Sequence, residues 1–251
     1  MDRIIIKNSL GQDIAAVVDR PRAKTDKLAI LCPGYLDTKD YAHLAALAGA
    51  LCGRGYTVVR FDPTGTWESE GDISEYTMTQ YLADIRSVLD HMIHEANYKQ
   101  VLLGGHSLGG MVSILFAARD PRIALVAAIM PASKPIGGKG RDGWQKAGIH
   151  VSFRDMPGDV SKAREFSVPF KHVLDRDQYD VVKDARKVKA KVVFVAGELD
   201  KLVTPADVRE IFDTANEPKR FILVPGIGHD YRRYPQQIEL VDKLIVEALS
   251  E

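Results

Sequence analysis

Short apolar runs alternate with longer amphipathic ones along most of this chain. Arg3–Lys7 and Ile14–Val18 read as strands joined by a turn at Ser9-Leu10-Gly11, an antiparallel hairpin. Lys27–Cys32 (KLAILC) is a third strand and stops at Pro33-Gly34. Tyr41–Arg54 carries alanine and leucine at helical spacing and ends before Gly55. Tyr56–Phe61 is β-rich and is broken by Asp62-Pro63-Thr64-Gly65, after which a polar loop runs to about Tyr76. In Gln80–Ala96, residues Tyr81, Leu82, Ile85, Val88, Leu89 and Met92 share one helix face. Gln100–Leu103, Ile123–Met130, Lys191–Ala196 and Arg220–Val224 have the length and apolarity of buried strands. Helical patterns fill Pro205–Thr214 and Gln236–Leu249. Strands alternating with helices predict an α/β fold, a mostly parallel central sheet flanked by helices on both faces. Residues 1–251 read as a single domain.

One segment breaks the alternation. Pro131 to about Val188 (131–188) is too long for a plain connection and too short for a separate domain. It reads as a small cap insertion folded over the strand ends. Its aromatics Trp144, Phe153, Phe166, Phe170 and Tyr179 are the expected apolar lining of a substrate pocket.

The chemistry begins at Lys99–Ala118, KQVLLGGHSLGGMVSILFAA. A strand runs into Gly105-His106-Ser107-Leu108-Gly109, and a helical pattern follows. That is the strand–turn–helix context of a Gly-x-Ser-x-Gly nucleophile elbow. The turn forces its serine to positive φ, and a side chain two residues away on either side would collide with its neighbours. The helix start then aims N–H groups at the site.

A serine hydroxyl needs a base, and the base needs an orienting acid. In α/β hydrolases they follow in the order serine, acid, histidine. Asp200 stands in Gly197-Glu198-Leu199-Asp200 after one strand, and His229 stands in Gly226-Ile227-Gly228-His229 after the next. Both lie past C-terminal strand ends, where open α/β sheets place their sites. Glu198 and Asp230 are the competing acids.

Taken together, the chain resembles an α/β-hydrolase-fold serine hydrolase over nearly its whole length. It is similar to the branch of cinnamoyl and feruloyl esterases, monoacylglycerol lipases and serine aminopeptidases. CPGYLDTKD at 32–40, RFDPTGTWESEG at 60–71, GGHSLGG at 104–110, GELDKLVTP at 197–205 and GIGHDY at 226–231 carry the likeness. The resemblance implies Ser107 as nucleophile, His229 as base and Asp200 as acid. It also implies an oxyanion hole from the backbone N–H groups of Tyr35 and Leu108. Family members more often have His-Gly before the oxyanion residue, where this chain has Cys32-Pro33-Gly34.

Composition narrows the partners. Lys plus Arg and Asp plus Glu both number 34, so the formal net charge is zero. Neither nucleic acid nor an anionic membrane is expected as a partner. The start, MDRIIIKNSLGQD, reads as neither signal peptide nor anchor, and no apolar run approaches a membrane span. Cys32 and Cys52 lack metal-site spacing and read as free thiols of a cytoplasmic protein, with homo-oligomerisation left open. The expected activity is hydrolysis of a small-molecule carboxylic ester, short-chain or aryl acyl, with no metal or organic cofactor. The rivals are an amidase or peptidase, a thioesterase, a carbon–carbon bond hydrolase, and a non-catalytic binding module of the same fold. An intact serine, aspartate and histidine set argues against the last.

Overall fold

The computed structural model describes residues 1–250. Its main sheet begins with β1 (Asp2–Lys7), β2 (Asp13–Asp19), β3 (Lys27–Cys32), β4 (Thr57–Phe61), β5 (Gln100–His106) and β6 (Ile123–Ile129). A separate antiparallel hairpin, β7 (Ile149–Met156) and β8 (Asp159–Pro169), follows. The main sheet is completed by β9 (Lys191–Gly197) and β10 (Lys219–Val224). The spatial order is β1-β2-β4-β3-β5-β6-β9-β10. β1 and β2 form the expected antiparallel hairpin, and β2 also runs antiparallel to β4; every later pairing in the sheet is parallel.

The helices are α1 (Ala42–Gly53), α2 (Met78–Glu95), α3 (Leu108–Ala117), α4 (Gly138–Ala147), α5 (Lys171–Arg176), α6 (Val181–Ala185), α7 (Pro205–Thr214) and α8 (Pro235–Ser250). Two cores result, one on each sheet face. On β9, Val192, Phe194 and Ala196 point into the core shared with α2, α3 and α7, while Val193 and Val195 point into that shared with α1 and α8. That is the period of two of a strand buried on both faces, which is why KVVFVA reads as a continuous apolar run. On α2 the six predicted face residues are all buried, and Thr77 caps the helix by accepting from the Gln80 N–H.

Residues 131–188 leave the sheet and carry α4, β7, β8, α5 and α6. The hairpin was not expected from the sequence. Ile149, Val151 and Phe153 do alternate with polar residues on β7, but all three are exposed and meet no core. Most of β8 is polar or charged, so the segment as a whole does not read as a strand pair. Among the described residues, no helix is long and apolar enough to cross a membrane.

Candidate active site

Ser107 sits between β5 and α3 with φ at 56°, in the left-handed region that a nucleophile elbow requires. The flanking glycines are fixed by one contact. A Cβ on Gly105 would lie 2.3 Å from the carbonyl oxygen of Cys32 at the end of β3, and a Cβ on Gly109 would lie 2.0 Å from the same atom. The elbow is thus pressed onto the neighbouring strand, and only glycine fits at both positions.

Ser107 Oγ lies 3.0 Å from His229 Nε2, and His229 Nδ1 lies 2.7 Å from Asp200 Oδ2. Asp200 is buried, and its Oδ1 accepts from the N–H groups of Leu202 at 2.8 Å and Val203 at 2.9 Å. With the Nδ1 proton directed at the carboxylate, the Nε2 lone pair faces the serine hydroxyl. The competing acids do other things. Glu198 accepts from the Gly226 N–H at 2.9 Å and so ties down the start of the histidine loop. Asp230 is exposed and turned toward Arg232, 3.8 Å away.

The loop after β3 is held by its carbonyls. Pro33 O accepts from Tyr81 Oη at 2.8 Å, and Gly34 O from the Asp37 N–H at 3.1 Å. Tyr35 O accepts from Arg154 Nη2 at 2.6 Å, and Leu36 O from Trp67 Nε1 at 2.9 Å. The Leu36 N–H donates to Tyr76 Oη at 3.1 Å, and Leu36 itself has φ at 54°. Because Gly34 O and the Tyr35 N–H share one planar peptide, fixing the carbonyl fixes where the N–H points. Among the described residues, neither the Tyr35 nor the Leu108 N–H donates to a protein acceptor. Cys32-Pro33-Gly34 therefore supports an ordered loop without the more usual His-Gly. Asp62 secures its far side, accepting from Thr38 Oγ1 at 3.0 Å and from the Lys39 N–H at 2.8 Å.

Behind the serine lie two buried histidines, His106 and His43, whose rings meet at 5.6 Å. His106 also packs against His229, with ring centroids 4.6 Å apart. Burial pushes His43 down to about 3 and holds His106 well below the ordinary histidine range, so both are neutral. Neither competes with His229 for a proton. Ligand atoms of Asp37, His43 and His106 all lie within 4.8 Å of one another, the one grouping among the described residues where three such atoms converge. The charges of Arg154 and Arg232 act on Asp37, which opposes binding a cation there. Cys32 is a buried free thiol pushed up to about 12, hence inert; Cys52 is half-buried and also free.

A cleft of about 1010 Å³ opens over Ser107 and His229. Of the five aromatics expected in it, only Trp144 lines it. Phe153 stands one residue out of phase with the cleft-facing His150 and Arg154 of β7 and is 65% exposed. Phe166 is buried against Trp67, with ring centroids 5.4 Å apart. Phe170 lies under the Arg141 guanidinium, and Tyr179 under that of Arg119, each at 5.5 Å. Phe166, Phe170 and Tyr179 thus pack within the insertion and its seams, while Phe153 faces solvent. The residues the sequence did not single out are Asp37, Arg154, Arg176 and Arg232, all of which line the cleft. Only the presence of Asp37 within the 32–40 motif gave any signal of them.

Residues 23–151, half of the chain, match the family described as serine aminopeptidase, S33. The chain belongs to that family. It has the α/β-hydrolase fold and is similar to esterases and thioesterases of that fold. Est1E from Butyrivibrio proteoclasticus, solved with ferulic acid bound, superposes with a TM-score of 0.79 at 21% identity, covering 98% of this chain and 97% of that one. At that identity the likeness speaks to fold. The mitochondrial palmitoyl-protein thioesterase ABHD10 of Mus musculus is 23% identical over 226 residues, 88% of this chain and 74% of that protein. An uncharacterised protein of Mycobacterium tuberculosis is 27% identical over 203 residues, 80% of this chain. The match spans 62% of the mycobacterial protein's length.

Proposed function

We propose that this protein hydrolyses carboxylic esters through an acyl-enzyme on Ser107. The observation that carries the reading is the unbroken hydrogen-bonded line from Ser107 Oγ through the His229 ring to Asp200, 3.0 Å and 2.7 Å long. His229 takes the serine proton as Oγ attacks the carbonyl carbon. The Tyr35 and Leu108 N–H groups receive the oxyanion, each worth about 3–4 kcal/mol in the transition state. His229 then protonates the leaving alcohol, and water repeats the sequence on the acyl group. Asp200 holds the ring tautomer and stabilises the imidazolium. No step calls on a metal or an organic cofactor.

For the acyl group we propose short-chain or aryl acids. Trp144, Ile136 and Leu202 give the cleft an apolar wall suited to a flat or small acyl group. A volume of about 1010 Å³ is at the upper end for a ligand pocket, so the preference rests on these walls and not on a small lid. Thioesters are the second reading, favoured by the likeness to a palmitoyl-protein thioesterase. A fluorophosphonate probe and a p-nitrophenyl ester test the class. Labelling at Ser107 with turnover supports a hydrolase; an intact protein that gives neither is a binding module.

A further inference from the structure

Charge in the cleft is unbalanced. Lys134, Arg154, Arg176, Lys201 and Arg232 line it, against the carboxylates of Asp37, Asp207 and Asp230. Lys134 is ion-paired with Asp207. Arg232 reaches Asp230 at 3.8 Å and Asp155 at 3.3 Å. Lys201 is exposed and solvated. That leaves Arg154 and Arg176, both half-buried, with no carboxylate in ion-pair contact among the described residues.

Each of the two donates to a backbone carbonyl, Arg154 Nη2 to Tyr35 O at 2.6 Å and Arg176 Nη2 to Lys134 O at 2.9 Å. The acids next to Arg176 in sequence are engaged elsewhere. Asp175 accepts from the Thr79 N–H at 2.8 Å, and Asp177 pairs with Arg141 at 2.7 Å. Arg154 Nε is buried with no hydrogen-bond partner. Both guanidinium charges bear on Tyr35, and that of Arg154 lies over its ring at 5.6 Å. The pair therefore flanks the residue whose N–H faces the reaction site.

A half-buried guanidinium has given up hydration, and a carbonyl dipole returns only part of it. What completes it is a planar anion, which the guanidinium fork binds through two parallel hydrogen bonds. We propose that Arg176, with Arg154 beside it, forms a carboxylate subsite in the cleft, and that the preferred substrates are esters carrying a second, free carboxylate. The proposal rests on the reading of Ser107 as nucleophile and adds the chemistry of its substrate. It also disfavours substrates with a free ammonium group, such as those of an aminopeptidase, since the same cations repel them.

The test compares neutral p-nitrophenyl butyrate with mono-p-nitrophenyl glutarate, whose acyl group carries the charge, and with 4-carboxyphenyl butyrate, whose leaving group does. One of the charged esters is expected to exceed the neutral one in kcat/KM by about tenfold or more, the scale of a charge-assisted hydrogen bond. Added salt and Arg176→Gln should each collapse that ratio, and Arg176→Lys should restore part of it. Equal kcat/KM for all three esters, or Arg176→Gln slowing neutral and charged esters by one factor, overturns the subsite. Equilibrium binding to Ser107→Ala separates this from the catalytic reading. Monomethyl glutarate should bind about tenfold tighter than methyl butyrate, or 4-carboxyphenyl butyrate tighter than phenyl butyrate by the same factor, whether or not the wild type turns over esters. Equal binding within both pairs refutes the subsite even in an active esterase.

Discussion

Arg154 on β7 donates from Nη2 to the carbonyl oxygen of Tyr35 at 2.6 Å, across 119 positions of sequence. The contact joins the hairpin of the insertion to the loop after β3. On the far side of the same hairpin, Asp155 meets Arg232, three residues past His229, and its carbonyl accepts from Tyr41 Oη at 2.8 Å. The hairpin thus touches both loops that would act on the substrate carbonyl.

Arg154→Leu should therefore lower kcat more than it raises KM. The Tyr35 N–H belongs to the Gly34–Tyr35 peptide, whose carbonyl the Asp37 N–H still holds, and Pro33 O and Leu36 O keep their partners. Losing the bond to Tyr35 O thus loosens the loop one peptide further on without releasing that N–H. A loss of about tenfold is expected, well short of deleting an oxyanion donor outright. Steady-state kinetics on a neutral ester checks it. An unchanged kcat would detach the hairpin from the chemistry.

The glycines divide into two kinds. Gly109→Ala puts a methyl 2.0 Å from the Cys32 carbonyl and should destabilise by about 3 kcal/mol or more. Gly49→Ala, in the exposed face of α1 with nothing within 4 Å of the new methyl, should stabilise by about 0.5–1 kcal/mol. Denaturant unfolding of both variants should give shifts of opposite sign.

Much of this was legible in the sequence because the elements concerned are local. The strands around KLAILC and KVVFVA, the elbow, and the order of Ser107, Asp200 and His229 all follow from short-range pattern. The four misplaced aromatics were not legible, because a count of apolar residues says neither which face of the hairpin Phe153 and Phe166 occupy nor which neighbours Phe170 and Tyr179 meet beyond it. Phe153 and Arg154 are adjacent, yet one faces solvent and the other the cleft. The fastening of the loop after β3 was hidden for a different reason. Its partners, Tyr76 as acceptor and Tyr81, Trp67 and Arg154 as donors, come from distant segments, and no local pattern joins them to the loop.

Among the three acids, Asp200→Asn should cost about 10⁴-fold in kcat, since an amide favours the wrong histidine tautomer. Glu198→Gln loses a charge-assisted bond to the Gly226 N–H and should cost about tenfold or less. Asp230→Asn should be near neutral, as its side chain is exposed. Equal losses at Asp200 and Glu198 would leave the acid unassigned.

Asp242 on α8 supplies a test of stability against pH. Its Oδ1 is buried without a hydrogen-bond partner, and burial pushes its carboxyl up from 3.8 to about 7. The folded state therefore holds a proton that the unfolded chain releases. Stability conferred by that proton is full below pH 3.8 and falls as pH rises to about 7. Asp242→Asn should remove this decline, leaving the variant more stable than wild type by about 1–3 kcal/mol above pH 7. Urea unfolding from pH 5 to 9 reads the difference. Parallel curves for the two proteins would place the ionised carboxylate in water.

The most direct measurement is on the acyl group itself. The protein is mixed with excess p-nitrophenyl butyrate, quenched in acid within the first turnovers, digested and mapped by mass spectrometry. The predicted result is one butyryl increment on the peptide containing Ser107, absent from Ser107→Ala, and formed far more slowly in His229→Ala. Hydrolysis that proceeds in Ser107→Ala at more than a tenth of the wild-type rate, or a butyryl group found on another residue, would contradict the account.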